Sequence, residues 1–260
     1  MSASTFMDAL PLWALYLIIA AMILLSTEAG WRLGDRQRQR HADEGKAPVS
    51  APVGATMGLL AFLLAFTFGM AATRFESRKQ VVLQEANAIG TAYLRTSFLP
   101  ETLREDARNS LREYLALRTG GAPAIVTPEG MARSSALHDQ LWAIATSAEA
   151  ISDTVSTGLF VESINAVIDL DATRVTANRN RIPGSIWLML GVVTIFSMAS
   201  IGYEFGLTGE RSWALTILMA VAFTAVITLI ADLDRSQSGL LRVSQQPLID
   251  LLNKIGAPAP

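Results

Sequence analysis

The chain has 260 residues and a formal net charge of −2; 51% of it is hydrophobic, only 17% is charged, and cysteine is absent. Soluble domains carry about 25% charged residues, and here the deficit is concentrated: Leu10–Thr27, Val53–Thr73, Ile182–Tyr203 and Ser212–Ala231 contain no Asp, Glu, Lys or Arg at all. A single soluble globular domain is thereby excluded, as are disulfides and thiol chemistry, and the near-neutral charge argues against nucleic acid as a partner.

Each uncharged stretch can cross roughly 30 Å of hydrocarbon at about 1.5 Å per residue. Inside lipid the backbone must satisfy its own hydrogen bonds, so these stretches are helices. The expected fold is all-α: a polytopic membrane protein with four transmembrane helices and a long helical-hairpin soluble domain between the second and the third. Residues 1–31 are the N-terminal tail and first span. Residues 1–9 lack Lys and Arg, and Ser26-Thr27-Glu28-Ala29 is a poor cleavage site, so this span reads as an anchor and not a leader. Trp13, Tyr16 and Trp31 are placed as boundary aromatics. Residues 32–52 read as a polar loop rich in arginine (Arg32, Arg36, Arg38, Arg40, with Lys46), closed by Pro48 and Pro52. The second span is 53–73.

Residues 74–181 form the soluble insert. No breaker follows the second span, so its helix extends out of the bilayer through Ser97. Pro100 is expected as the first residue of the next helix, in which Leu103, Ala107, Leu111 and Leu115 make an apolar stripe beside Arg104, Arg108 and Arg112. Gly120-Gly121 ends it, and Thr119–Thr127, with Pro123, is the turn between two arms. Pro128-Glu129 opens the return arm. Its seam of Leu137, Leu141, Ile144, Ala148, Ile151 and Val155 has coiled-coil spacing. A break is expected at Ser156-Thr157-Gly158, and Pro183-Gly184 leads into the third span.

The third and fourth spans, 182–203 and 212–231, are joined only by Glu204–Arg211 and form an antiparallel pair. Residues 232–260 are a polar C-terminal tail with a short helix at Leu248–Ile255. The five Lys and Arg residues after the first span, against none before it, favour an extracytoplasmic insert.

No phosphate loop, dinucleotide fingerprint, zinc-protease motif or nucleophile elbow occurs. Asp169/Asp171 and Asp232/Asp234 are two residues apart, on opposite sides of a helix. His41 and His138 have no metal-site spacing. The chain therefore reads as a non-enzyme, without a catalytic residue, metal or cofactor. Three features carry other possibilities. On the second span Gly54, Gly58, Ala61, Ala65 and Gly69 form a small-residue ridge suited to close helix packing. Beside it Phe62, Phe66 and Met70 repeat every four residues. They fit either a hydrophobic constriction around a pore or a lipid-facing surface. On the fourth span Thr216, Thr224, Thr228 and Asp232 share one face, either lining a polar path or bonding their own backbone carbonyls. Glu28 and Asp232, at span boundaries, are candidate pore-entrance acids or simply solvated ones.

The string Glu85-Ala-Asn-Ala-Ile-Gly-Thr-Ala-Tyr-Leu-Arg95 resembles a widespread bacterial family of bestrophin-like integral membrane proteins of unassigned function. Phe66-Thr-Phe-Gly-Met70, Arg74-Phe75, Asp232-Leu-Asp-Arg-Ser-Gln-Ser-Gly239 and Val243-Ser-Gln-Gln-Pro247 carry the same resemblance, which spans roughly residues 53–250. Its motif residues here are Glu85, Asn87, Gly90, Tyr93, Arg95, Asp234, Arg235 and Gly239. Bestrophins are pentameric anion channels with four membrane helices per subunit and a helical domain between the second and third. The resemblance thus implies a homo-oligomer, a pentamer by analogy, in the lipid bilayer, passing inorganic ions past apolar side chains of the second helix. Bestrophins carry their helical domain in the cytoplasm, which is the opposite side from the one the charges favour.

Two functions are consistent with these readings. One is an oligomeric bestrophin-like ion channel in the bacterial inner (plasma) membrane, the second helix lining a hydrophobic constriction. The other is a membrane sensor or scaffold whose helical insert binds a ligand or protein partner.

Overall fold

The structure is a computed structural model that describes residues 10–40, 49–119, 127–209, 211–236 and 239–256. Among these residues it is built of helices: α1 (Leu12–Arg40), α2 (Ser50–Arg95), a 3-10 turn (Thr96–Phe98), α3 (Glu101–Thr119), α4 (Pro128–Ile151), α5 (Val155–Arg179), α6 (Gly184–Thr208), α7 (Trp213–Asp234) and α8 (Gln246–Gly256). Four helical runs are long and apolar enough to cross a membrane: Leu12–Arg40, Ser50–Phe98, Val155–Thr208 and Trp213–Asp234. The protein is a multi-pass, all-α membrane protein.

The chain divides into two compact units, one of Met1–Phe75 with Arg181–Arg242 and one of Glu76–Asn180 with Val243–Pro260. The first holds the membrane helices. Leu15, Ile19, Ile23, Leu60, Leu64, Leu190, Met198, Ile227 and Ile230 are buried in it, while Leu17, Leu25, Leu188, Phe196 and Leu218 face outward. An apolar exterior is what a lipid solvent selects. α1 and α6 run parallel and nearly touch. A Cβ at Gly30 would fall on the carbonyl of Ala199, one at Gly202 on the carbonyl of Thr27, and one at Gly206 on the carbonyl of Trp31; Gly34 lies against Tyr203 and Gly206. Gly30–Gly34 and Gly202–Gly206 are two facing GxxxG motifs, the spacing that lets membrane helices pack backbone to backbone. The Ser197 hydroxyl donates to the Thr56 carbonyl at 3.1 Å, joining α6 to α2.

The second unit has an ordinary soluble core: Ile89, Leu99, Leu111, Tyr114, Leu115, Leu137, Leu141, Phe160, Ile164 and Val167. α8 belongs to it through Leu248 and Ile255. The polar tail expected over 232–260 is thus divided: Asp232–Asp234 complete α7, and the short helix expected at Leu248–Ile255 is α8, with one buried face.

Local boundaries differ from the sequence reading for identifiable reasons. α1 runs on to Arg40 through the stretch read as a loop, held by Glu28–Arg32 and Asp35–Arg38 pairs at 2.8 and 2.5 Å and a Gln39–Asp35 bond at 2.7 Å. His41, Lys46 and Pro48 lie outside the described residues, as do Gly120, Gly121 and Pro123. Pro52 sits in the first turn of α2, where a missing N–H is tolerated. Pro100 precedes α3 instead of opening it; its carbonyl accepts the N–H groups of Leu103 and Arg104. The break in the return arm falls at Ser152–Thr154, ahead of the glycine that suggested it, because Thr154 and Thr157 form a reciprocal capping box. The apolar seam accordingly ends at Ala148, and Ile151 and Val155 are exposed. Each expected arm is therefore two helices.

Candidate functional site

The exposed face of α2 in the first unit gathers the residues singled out on the second span. Phe62 and Phe66 are 66% and 56% exposed, their rings stacked at 6.4 Å between centroids; Met70, one turn on, is half-buried. Gly54, Gly58, Ala61, Ala65 and Gly69 are exposed beside them, and apart from their own helical turns no atom of the described residues lies within 4 Å of where a Cβ at Gly54, Gly58 or Gly69 would stand. Among the described residues this ridge packs nothing inside the subunit. The close helix contact is made instead by Gly30, Gly34, Gly202 and Gly206, whose GxxxG spacing is plain in the sequence and was the signal for it.

The α7 residues separate. Thr216 donates to the Ser212 carbonyl at 3.1 Å. Thr224 is fully buried, Thr228 is partly so, and the hydroxyls of both lack a hydrogen-bond partner among the described residues. Asp232 is 3% exposed, and its two oxygens accept the N–H groups of Leu240 and Leu241 at 3.0 Å each. Both carboxylate oxygens are thus committed to a turn. Gly239 makes that turn possible: its φ is +137°, and a Cβ there would collide with the Asp232 carboxylate. Asp234 accepts the Ile182 N–H at 2.9 Å and pairs with Arg181 at 3.1 Å. Arg235 donates to the Leu10 carbonyl at 2.7 Å. Glu28 lies between Arg32 at 2.8 Å and Arg211 at 2.7 Å.

The remaining motif residues lie in the second unit. Glu85 is fully buried. It pairs with Arg118 at 2.7 Å and with Arg174, and accepts the Tyr114 hydroxyl at 3.3 Å. Arg118 also donates to Tyr114 at 3.0 Å and pairs with Asp171. Arg174 donates to Gln245 at 2.6 Å, fastening the start of the C-terminal helix. The His138 ring lies 5.0 Å from that of Tyr114, and its Nδ1 4.0 Å from Asp171. Burial, reinforced by the Arg118 charge, holds His138 below its ordinary 6.5; burial likewise pushes the Tyr114 phenol up. Arg95 donates to the Leu159 carbonyl at 2.6 Å. Tyr93 accepts from Arg112 at 2.6 Å, with the guanidinium groups of Arg108 and Arg112 over its ring. Asn87, Gly90 and Tyr93 line a cavity of 650 Å³ against Pro247, Leu251 and Ile255.

Sequence reading identified Glu85 but missed Arg118, Arg174 and Asp171. Their signal was charge on an apolar stripe: Leu111, Tyr114, Leu115, Arg118 on α3 and Phe160, Ile164, Val167, Asp171, Arg174 on α5. Among the described residues no cluster of three His, Asp or Glu side chains could hold a metal ion.

A family model described as the Bestrophin-like domain matches residues 14–248. Two crystal structures of a bacterial bestrophin homologue from Klebsiella pneumoniae, each carrying a different single substitution, superpose with TM-scores of 0.65 and 0.63 at 14% identity. The two superpositions cover 90% of this chain and 94% and 95% of theirs. A third, the crystal structure of a membrane protein that also carries one substitution, has a TM-score of 0.61 at 13% identity, covering 90% of this chain and 94% of that one. No curated protein matches in sequence.

Proposed function

We propose that this chain, which belongs to the Bestrophin-like family, is the subunit of an oligomeric ion channel in which α2 surrounds the axis. The observation that carries the reading is the open face of α2. Its stacked, exposed phenylalanines adjoin a ridge of glycine and alanine that nothing among the described residues of the subunit covers. Small residues allow a second helix to approach closely, and a ring of Phe62, Phe66 and Met70 from several copies makes an apolar neck that gates by dewetting. The resemblance to bestrophins supplies the assembly, a homo-oligomer, pentameric by analogy. It sits in a bacterial plasma membrane, with the positive charges after the first span favouring an extracytoplasmic insert; a protease site between Gly120 and Gly121 tests that side.

Purified protein in liposomes is expected to pass ions, and Phe62→Ala with Phe66→Ala to raise the leak several-fold. A monomer in detergent together with silent liposomes overturns the proposal. The cavity beside Asn87, Gly90 and Tyr93 favours a second reading, in which the insert receives a ligand or protein partner. Capture of a defined partner by the full chain, lost on Gly90→Trp, supports that role.

A further inference from the structure

A cavity of 420 Å³ lies between α1, α6 and α7 in the first unit. It is graded along the helix axes. Leu24 and Leu25 line one part; a turn further along α1, level with Phe205 on α6 and the start of α7, come Glu28, Arg32, Arg211 and Ser212. The Arg211 guanidinium is held by two indoles, 4.4 Å from the Trp31 ring and 4.1 Å from that of Trp213. Glu28 bonds both arginines through one atom of each, so its single charge is shared between two and the cluster remains positive by one. The Trp31 indole N–H is buried and has no acceptor among the described residues. The first turn of α7 adds a positive helix end.

Donors and net positive charge at one end and apolar walls at the other describe an amphiphile, not a small ion. We propose that this cavity binds the phosphate of an anionic phospholipid, with an acyl chain along Leu24 and Leu25. Arginine forks suit phosphate oxygens in two-bond geometry. Tryptophan belongs at the headgroup level of a bilayer. The site is independent of whether α2 lines a pore.

Native mass spectrometry of the full chain in detergent tests it, with dioleoyl phosphatidylglycerol and dioleoyl phosphatidylcholine as probes. One phosphatidylglycerol per subunit is expected at about tenfold lower lipid concentration than phosphatidylcholine. Arg211→Gln should abolish that preference. Arg32→Gln, at an exposed side chain outside the indole stack, should weaken it. Trp31→Phe loosens the indole stack that holds Arg211, and should weaken it too. If Arg211→Gln is not recovered folded, the other two variants decide. Equal retention of the two lipids by the parent protein overturns the proposal, as does an unchanged preference in both Arg32→Gln and Trp31→Phe. Displacement of the lipid by millimolar inorganic phosphate also overturns it, because phosphate alone would then be the ligand.

Discussion

Replacing Glu85 by glutamine isolates one charge without changing shape. In the native second unit the Glu85 carboxylate faces Arg118 at 2.7 Å, Arg174 and the Tyr114 hydroxyl, with no part of it exposed. After the change, Arg118 keeps Asp171 as its only acid, and Arg174 keeps only the neutral Gln245. Removing one partner from a buried ion pair costs about 3–5 kcal/mol, because the orphaned charge cannot recover its hydration. For a unit of this size that lowers the melting temperature by roughly 10 °C or more. The assay is thermal unfolding of the full chain in detergent, with Glu113→Gln as control. Glu113 pairs with Arg133 in a half-exposed position, where loss of the pair costs less than about 1 kcal/mol. A Glu85→Gln, Arg174→Gln double variant restores the charge balance between Arg118 and Asp171 and should recover part of the loss, which a double-mutant cycle reads directly. Melting of Glu85→Gln within about 2 °C of the parent refutes the network as a stabilising unit.

Gly239→Ala places a Cβ on the Asp232 carboxylate at a positive φ, and should destabilise the protein by about 1–3 kcal/mol, whereas Gly256→Ala, with open space around it, serves as the silent comparison in the same melt. Gly202→Leu forces α1 from α6 and should abolish recovery of monodisperse protein; Gly54→Leu, on the open ridge, should leave the subunit fold intact, as circular dichroism would report. The His138 imidazole is held below 6.5, so the unfolded chain binds its proton more readily than the folded one. Its contribution is complete above about pH 6.5 and declines as the pH falls through the window beneath. Around it stand Tyr114, Asp171, Arg118, Asp139 and Glu85. His138→Gln should flatten the fall in melting temperature between about pH 7.5 and 5.5, and parallel curves for parent and variant would contradict this linkage.

The membrane architecture was legible because the two solvents impose opposite compositions: the uncharged stretches became α1, α6, α7 and the first half of α2. What could not be read was where charges go once a helix has a neighbour. Asp232 at the end of an apolar span looks like an acid facing water, yet Gly239, further along the chain, brings two backbone N–H groups onto it. Glu85 looked like one motif letter among several. Its meaning depends on Arg118 and Arg174, far along the chain, which only packing brings to it. Periodicity assigns such residues to a face and leaves their partners open.

The glycines make the same point about the channel reading. Both sets occur at helix-packing spacing, so the sequence alone treats them alike. In the folded subunit Gly30, Gly34, Gly202 and Gly206 are filled to backbone contact, and Gly54, Gly58 and Gly69 meet nothing among the described residues. Within one chain, small residues are therefore used where a helix must be approached closely. The uncovered set lies on the helix that also exposes Phe62 and Phe66, where a glycine gains nothing from contact with fluid acyl chains and weakens the helix by about 1 kcal/mol relative to alanine. In the proposed oligomer, a neighbouring subunit's helix would offset that cost by seating against the ridge. Gly58→Leu should then lower the oligomeric state in detergent while each subunit keeps its helical content, and an unchanged assembly would assign the ridge to lipid.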